Sequence, residues 1–142
     1  MTARQLKAQK YLEQYEESLR KVRWCQEQYA RELYLTDAIR SPSDNDGMPH
    51  GSGISKPTEN KAIRLAEKAL DLHTATQAAK QTMREVFAVA YNVGGIEGDI
   101  IIERYIKLKD WRDVYKAVNY ATSQAHRYHR AGLDKVADII GV

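Results

Sequence analysis

A chain of 142 residues is long enough for one domain, or for one small domain joined to an extended helical part. Its single cysteine, Cys25, excludes an internal disulfide and gives no metal-ligand spacing. The net charge of +3 is too small to indicate nucleic-acid binding by itself. The first ten residues lack the apolar core of a signal peptide, and no apolar run approaches the length of a membrane span. The sequence therefore predicts a soluble, cytoplasmic protein.

The first predicted element is a single long helix over residues 3–40. This stretch has neither glycine nor proline and is rich in residues of high helix propensity. A coiled-coil-like seam is predicted from residues at seven-residue spacing. Its two positions hold Gln5, Leu12, Leu19, Gln26 and Leu33, and Ala8, Tyr15, Val22, Tyr29 and Thr36. Three glutamates on the same helix are interpreted as a solvated charged face: Glu13, Glu16 and Glu17.

A loop is predicted over residues 41–57, because this segment contains all three prolines of the chain. Such a composition cannot bury enough apolar surface to offset the entropy lost on ordering. The loop includes the sequence Gly-Met-Pro-His at residues 47–50, for which the sequence offers no physical role.

A second long helix is predicted from Thr58, a good N-cap residue, to about Val93. Its apolar seam is cleaner than that of the first helix and runs through Leu65, Ala69, Leu72, Thr76, Ala79, Met83, Val86, Ala90 and Val93. Two long helices with such stripes predict an antiparallel hairpin over residues 1–93. The stripes could pack in cis, on the rest of the chain, or on a second copy, so a homodimer through the long helices is an open alternative.

The C-terminal part, residues 98–142, is predicted to contain three helices with tight turns. Gly94, Gly95 and Gly98 turn the chain out of the second long helix, and Asp99 is the expected N-cap of the next one. A short helix then follows from Trp111 to about Val118, and a longer one from Thr122 to Ile140, with the corner at residues 119–120. Two helices joined by a short turn, with a third packed behind, form the pattern of a helix-turn-helix.

The last predicted helix has an inward and an outward face. Ala125, Tyr128, Gly132 and Val136 recur at helical spacing and predict the inward face. The opposite face is polar and cationic. Between residues 103 and 135 there are eight lysines or arginines against four aspartates or glutamates, so the positive charge of the chain is concentrated here. This distribution favours a contact with nucleic acid.

The outward face supplies two sets of candidate DNA contacts. Residues in its first two turns would reach base edges in the major groove: Thr122, Ser123, Gln124 and Arg127. Cationic and histidine side chains around them would bind phosphates and set affinity and register: Lys109, Arg112, Lys116, His126 and Arg130.

Metal binding and catalysis have little support in the sequence. His126 and His129 have a spacing that can share one metal ion, but no third ligand is evident. There is no glycine-rich phosphate loop and no nucleophile motif. We therefore expect no metal site, no cofactor and no enzymatic activity.

The C-terminal part also resembles a known family. Residues 102–106 (IERYI), 111–114 (WRDV), 119–120 (NY) and 127–129 (RYH) are similar to the end of sigma-70 region 4. More narrowly, they resemble phage-encoded sigma-region-4-like regulators related to the ArpU and RinA late-transcription activators. The sequence departs from that pattern at Ala121, which replaces a serine N-cap so that Thr122 would have to cap. It also departs at Tyr115, which replaces a small residue at the helix crossing.

The resemblance implies an all-α DNA-binding transcription regulator of a phage or prophage, acting in a bacterial host. Its C-terminal head, residues 98–142, would act at promoters with host RNA polymerase. Tyr105, Trp111 and the first helix of this head would face the polymerase rather than DNA. Two alternatives remain. A small-terminase-like DNA-packaging subunit would also combine a helix-turn-helix with long oligomerising helices, and a helical adaptor would bind only protein.

Overall fold

The computed structural model describes the backbone of residues 1–39 and 56–142, and all regular structure within these ranges is helical. The all-α class is thereby confirmed for the described part of the chain. Its elements are α1 (Ala3–Ile39), α2 (Lys56–Val93), α3 (Gly95–Ile101), a π-helical segment (Ile102–Ile106), α4 (Trp111–Val118) and α5 (Thr122–Ile140). Among the described residues, no helix is long and apolar enough to cross a membrane.

The two long helices have nearly the predicted bounds. Helix α1 extends to Ile39, the last described residue before the gap, and α2 begins at Lys56, two residues before the predicted N-cap, Thr58. The prediction of Thr58 as N-cap is therefore wrong. Pro57 explains the earlier start, because proline suits the first turn of a helix, where an N–H group has no helical acceptor. The rest of the predicted loop, residues 41–55, lies outside the described residues.

The chain divides into two compact units, and the first contains residues 1–19 and 78–142. Its main core joins residues from the start of α1, the end of α2 and the C-terminal helices. The buried members are Ala8, Leu12, Val86, Val89, Ala90, Ile101, Tyr105, Leu133, Val136 and Ala137. Both predicted seams therefore contribute to this core. The expected domains, residues 1–93 and 98–142, stay a prediction, whereas the compact unit includes parts of both.

The second unit contains residues 20–77 and departs from the predicted seam of α1. Val22 and Cys25 are buried, whereas Gln26 and Leu33 are exposed. The expected seam position at Gln26 is therefore wrong. A thiol can be buried as a small apolar group, whereas a buried amide needs hydrogen-bond partners, so Cys25 takes the inner position.

The turn between α2 and α3 is made by two glycines with left-handed backbones, Gly94 (φ 66°) and Gly95 (φ 58°). Because this pair completes the turn, α3 begins at Gly95, and Asp99 lies inside the helix. The prediction of Asp99 as N-cap is therefore wrong. Gly98 is also helical rather than part of the turn. A Cβ atom there would lie 2.8 Å from the carbonyl oxygen of Ala90, so Gly98 permits the close approach of two helices.

Helix α3 continues into the π-helical segment, where the Lys107 amide donates to the Ile102 carbonyl at 2.9 Å. The chain then leaves the helix through Leu108, whose φ is 58°. A left-handed backbone is uncommon for a bulky residue. Helix α4 begins after Asp110, whose Oδ1 accepts a hydrogen bond from the Asp113 amide at 2.9 Å. Asp110 is thus a true N-cap.

Asn119 ends α4 with a left-handed backbone (φ 64°), as the sequence predicted. Helix α5 then begins after Ala121, which has an extended backbone and no side-chain cap. The prediction that Thr122 caps this helix is wrong, because Thr122 is already its first residue. The predicted inward face is confirmed, since Ala125, Gly132 and Val136 are buried and Tyr128 is half-buried.

Candidate nucleic-acid interface

The outward face of α5 carries the polar and cationic residues that the sequence assigned to it. Ser123, Arg127 and Arg130 are exposed and lie within about 60° of arc, because successive helical residues are about 100° apart. Thr122 is exposed at the helix start. Among the described residues, neither arginine has an ion-pair partner. This face therefore presents free donors and positive charge to solvent.

Helix α4 adds two more cations. Arg112 and Lys116 are four residues apart, which places them on one side of the helix, and both are exposed. Within the described ranges, neither side chain forms an ion pair. The head therefore has four uncompensated cations on α4 and α5, a set that we call the basic strip: Arg112, Lys116, Arg127 and Arg130.

Three of the predicted site residues are partly buried or already paired, unlike the members of the basic strip. Gln124 is half-buried. Lys109 forms an ion pair with Glu103, and this carboxylate also accepts from Lys107 at 2.7 Å. Hydrogen bonds from these two lysines lower the pKa of Glu103. His126 is half-buried and shares a hydrogen bond between its Nε2 and the Tyr115 hydroxyl. Lys109 and His126 are therefore already engaged within the head.

Aromatic contacts accommodate the bulky Tyr115 side chain at the crossing of α4 and α5. Its ring meets the His126 ring edge-on, with 5.5 Å between ring centroids. Trp111 extends this contact, with its centroid 4.9 Å from that of His126 and 4.7 Å from that of His129. The guanidinium carbon of Arg104 lies 5.2 Å from the Trp111 ring centroid, in cation–π geometry. An aromatic cluster, rather than a small residue, fills this crossing.

His129 and Tyr105 form a buried polar pair beneath the cluster. The Tyr105 hydroxyl and the Nε2 of His129 are hydrogen-bonded at 2.8 Å. Burial, with smaller contributions from the charges of His126, Arg104 and Arg130, lowers the pKa of His129 to about 4. Burial raises the pKa of Tyr105. Since Tyr105 is only 5% exposed, the expectation that it would contact polymerase is wrong.

A cavity of about 380 Å³ adjoins the basic strip at Arg130, and nothing in the sequence predicted it. Residues from α1 line it together with residues of the π-helical segment, the following loop, α4 and α5. Its charged and aromatic lining includes Glu13, Glu16, Arg104, Tyr105, Trp111 and Arg130. Glu13 and Glu16 are half-buried, so the prediction of a solvated face is right only for Glu17. Periodicity cannot indicate which distant helix lies beside these carboxylates, so their position in the cavity wall was not predicted.

The described residues contain no group of three or more metal-ligating side chains suited to hold a metal ion. Comparison with known proteins adds no relationship: no protein-family model, curated protein or solved structure matches the chain. The geometry and chemistry of the head are therefore the basis for inferring a function.

Proposed function

We propose that the head binds double-stranded DNA through a helix-turn-helix formed by α4, residues 119–121 and α5. In this arrangement α3 and the π-helical segment support the pair from behind, and α5 enters the major groove. The observation that carries the proposal is the basic strip, whose four exposed cations on the two helices have no ion-pair partner within residues 1–39 and 56–142. Like charges held together favour binding of a polyanion, because its phosphates replace their mutual repulsion with attraction.

The first two turns of α5 would carry the base readers. Thr122 and Ser123 are exposed hydroxyl donors and acceptors, and Arg127 can donate two hydrogen bonds to one guanine. Gln124 would pair with an adenine only after its side chain rotates outward, because it is half-buried. Of the four candidate base readers, Arg127 would contribute most to discrimination between bases.

The other members of the basic strip would bind phosphates. Arg112 and Lys116 would contact the backbone from α4, and Arg130 from the third turn of α5. Lys109 and His126 would contribute less than the sequence suggested, because one pairs with Glu103 and the other bonds to Tyr115. A footprint of roughly three to five phosphates is the result.

The resemblance to sigma-70 region 4 gives this binding a biological setting. We propose a phage-type transcription regulator whose head acts at promoters with bacterial RNA polymerase. The long helix pair, predicted as an antiparallel hairpin, would serve as a spacer or as a homodimer surface. Large exposed apolar side chains in the second unit suit such a surface: Trp24 is 56% exposed, Tyr34 73% and Leu70 63%.

The test is fluorescence anisotropy of a labelled mixed-sequence duplex, with wild type and the double variant Lys116→Gln/Arg127→Gln. Loss of one phosphate contact and one base contact should weaken binding by about tenfold or more. Both side chains are exposed, so the substitutions should leave folding intact, which thermal unfolding would check.

A matched control is Lys80→Gln/Arg84→Gln. These residues lie in the same compact unit, are exposed on α2 and change the net charge equally. The control should bind DNA within about twofold of wild type, because its charges are outside the basic strip. Equal losses in both double variants would mean that total charge, rather than the helix-turn-helix, governs binding, and would contradict the proposal.

A further inference from the structure

The cavity beside the aromatic cluster has unusual backbone on one side. The π-helical segment Ile102–Ile106 carries Arg104 and Tyr105 into its wall, and Leu108 lines it with a left-handed backbone. Short π-helical turns occur frequently at functional sites, and a positive φ is strained backbone for a bulky residue. Two such features at one cavity wall indicate that this shape has a role beyond packing.

Opposite charges line the cavity without neutralising each other. Glu13 stands on the α1 side, and Arg104 and Arg130 come from the C-terminal helices. None of these three side chains forms an ion pair with any residue that the structure describes. Because Glu13 and Arg104 are also half-buried, each is partly removed from water without gaining a counter-charge. A bound group carrying both signs of charge would compensate both.

The α1 wall is oriented to accept hydrogen bonds. Gln9 donates from Nε2 to Oε1 of Glu13 at 2.8 Å, and this bond fixes the orientation of its amide. The Gln9 Oε1 is consequently left buried and without a donor. A buried acceptor without a partner is unfavourable. The carboxylate of Glu13, which the hydrogen bond from Gln9 holds at the cavity wall, favours a ligand with N–H donors and a positive charge.

The opposite wall is oriented to donate. Arg104 is held by a hydrogen bond from its Nη1 to the Lys109 carbonyl at 2.8 Å and by its position over Trp111. Its other guanidinium nitrogens remain available for a carboxylate, which guanidinium binds well in bidentate geometry. Trp111 and Leu108 add apolar surface between the two walls.

We propose that this cavity binds a free amino acid with an apolar side chain. The ammonium would lie at Glu13, the carboxylate at Arg104 and Arg130, and the side chain along Trp111 and Leu108. The volume of about 380 Å³ is within the range of small-molecule sites and accommodates a molecule of this size. Since α5 lines both the cavity and the basic strip, the ligand would occupy a position from which it can influence the head.

Isothermal titration of the full chain with L-phenylalanine and L-leucine tests the proposal directly. Two derivatives test each charged group by itself. L-phenylalanine methyl ester keeps only the ammonium, and N-acetyl-L-phenylalanine keeps only the carboxylate. Each should bind about tenfold or more weakly than the zwitterion, because each loses one charge-assisted contact. The titrations contain no DNA, so their outcome is independent of the proposed DNA binding.

Two variants locate the site. Glu13→Gln should reduce the affinity for the amino acid by about tenfold and remove the preference over the N-acetyl derivative. Arg104→Lys should weaken carboxylate binding while preserving the charge, with thermal unfolding as the check that the loop after the π-helical segment is intact. The control Glu17→Gln, an exposed residue of α1 outside the cavity, should bind like wild type.

The proposal is overturned if neither amino acid binds. It is also overturned if all three forms of phenylalanine bind equally, which would indicate an apolar cleft without charge recognition. Equal effects of Glu13→Gln and Glu17→Gln would likewise contradict it, because the binding would then lie elsewhere.

Discussion

At the residue scale, His129 is the most strongly perturbed base of the head. Its ring is buried, is bonded to Tyr105 and has a pKa of about 4. Its partner could not be predicted, because Tyr105 is 24 residues away and only the turn of the π-helical segment aims it at the imidazole.

The neutral state of His129 predicts a pH-dependent stability. The unfolded chain binds this proton at a pKa of about 6.5 and the folded chain only at about 4, so acid favours unfolding. Stability should be constant above about pH 7.5 and fall by about 2 kcal/mol between about pH 7.5 and pH 5. Urea unfolding of wild type across this range measures the change.

His129→Gln is the matched variant, since an amide can still bond to the Tyr105 hydroxyl but does not titrate. Its stability should change much less over the same range. The carboxylates with lowered pKa values, Glu97 and Glu103, titrate at lower pH and so contribute little to the difference. Identical pH profiles of the two proteins would contradict the buried neutral imidazole.

At the element scale, the sequence predicted the presence and extent of the helices better than the residues at which they begin. Helices α4 and α5 have the predicted bounds, because Asn119 and the apolar spacing are local signals. The start of α3 was missed because Gly94 and Gly95 complete the turn before Asp99, whose capping chemistry is then unused. A residue with a good capping side chain can still lie inside a helix, because cap propensity does not show where the preceding turn ends.

The two aspartates near helix starts give a contrast that tests these assignments. Asp110→Ala should cost about 1 kcal/mol of stability, because it removes the side-chain bond to the Asp113 amide at 2.9 Å. Asp99→Ala should change stability by less than about 0.5 kcal/mol, because Asp99 is exposed within α3. Chemical unfolding of both variants measures the difference, and a larger loss at Asp99 would reverse the assignment.

At the scale of the whole molecule, the start of α1 belongs to the same compact unit as the head. The apolar pattern correctly predicted Ala8 and Leu12 as core residues. It could not predict that their partners include Leu133 and Val136, because an amphipathic stripe specifies a buried face but not the surface that covers it. The cavity was missed for the same reason, since only tertiary packing brings Glu13 and Arg104 to the wall of one cavity.

This shared core predicts that α1 stabilises the head directly. Leu12→Ala and Leu133→Ala, both at fully buried positions, should each cost about 2–5 kcal/mol and shift the unfolding of the same unit. Leu6→Ala, at a residue 47% exposed, is the control and should cost much less. Unfolding monitored by the fluorescence of Trp111, in a Trp24→Phe background, would report on the head. A head signal insensitive to Leu12→Ala would argue against a common core.

The most direct test of the central claim is the salt dependence of duplex DNA binding. Roughly three to five phosphate contacts predict a slope of about −3 to −4.5 in a plot of log affinity against log salt concentration. Removing three members of the basic strip, in Arg112→Gln/Lys116→Gln/Arg130→Gln, should reduce the magnitude of this slope by up to about three. Weak binding with the same slope in wild type and variant would contradict a DNA-binding head, and a protein-only adaptor would then be the better account.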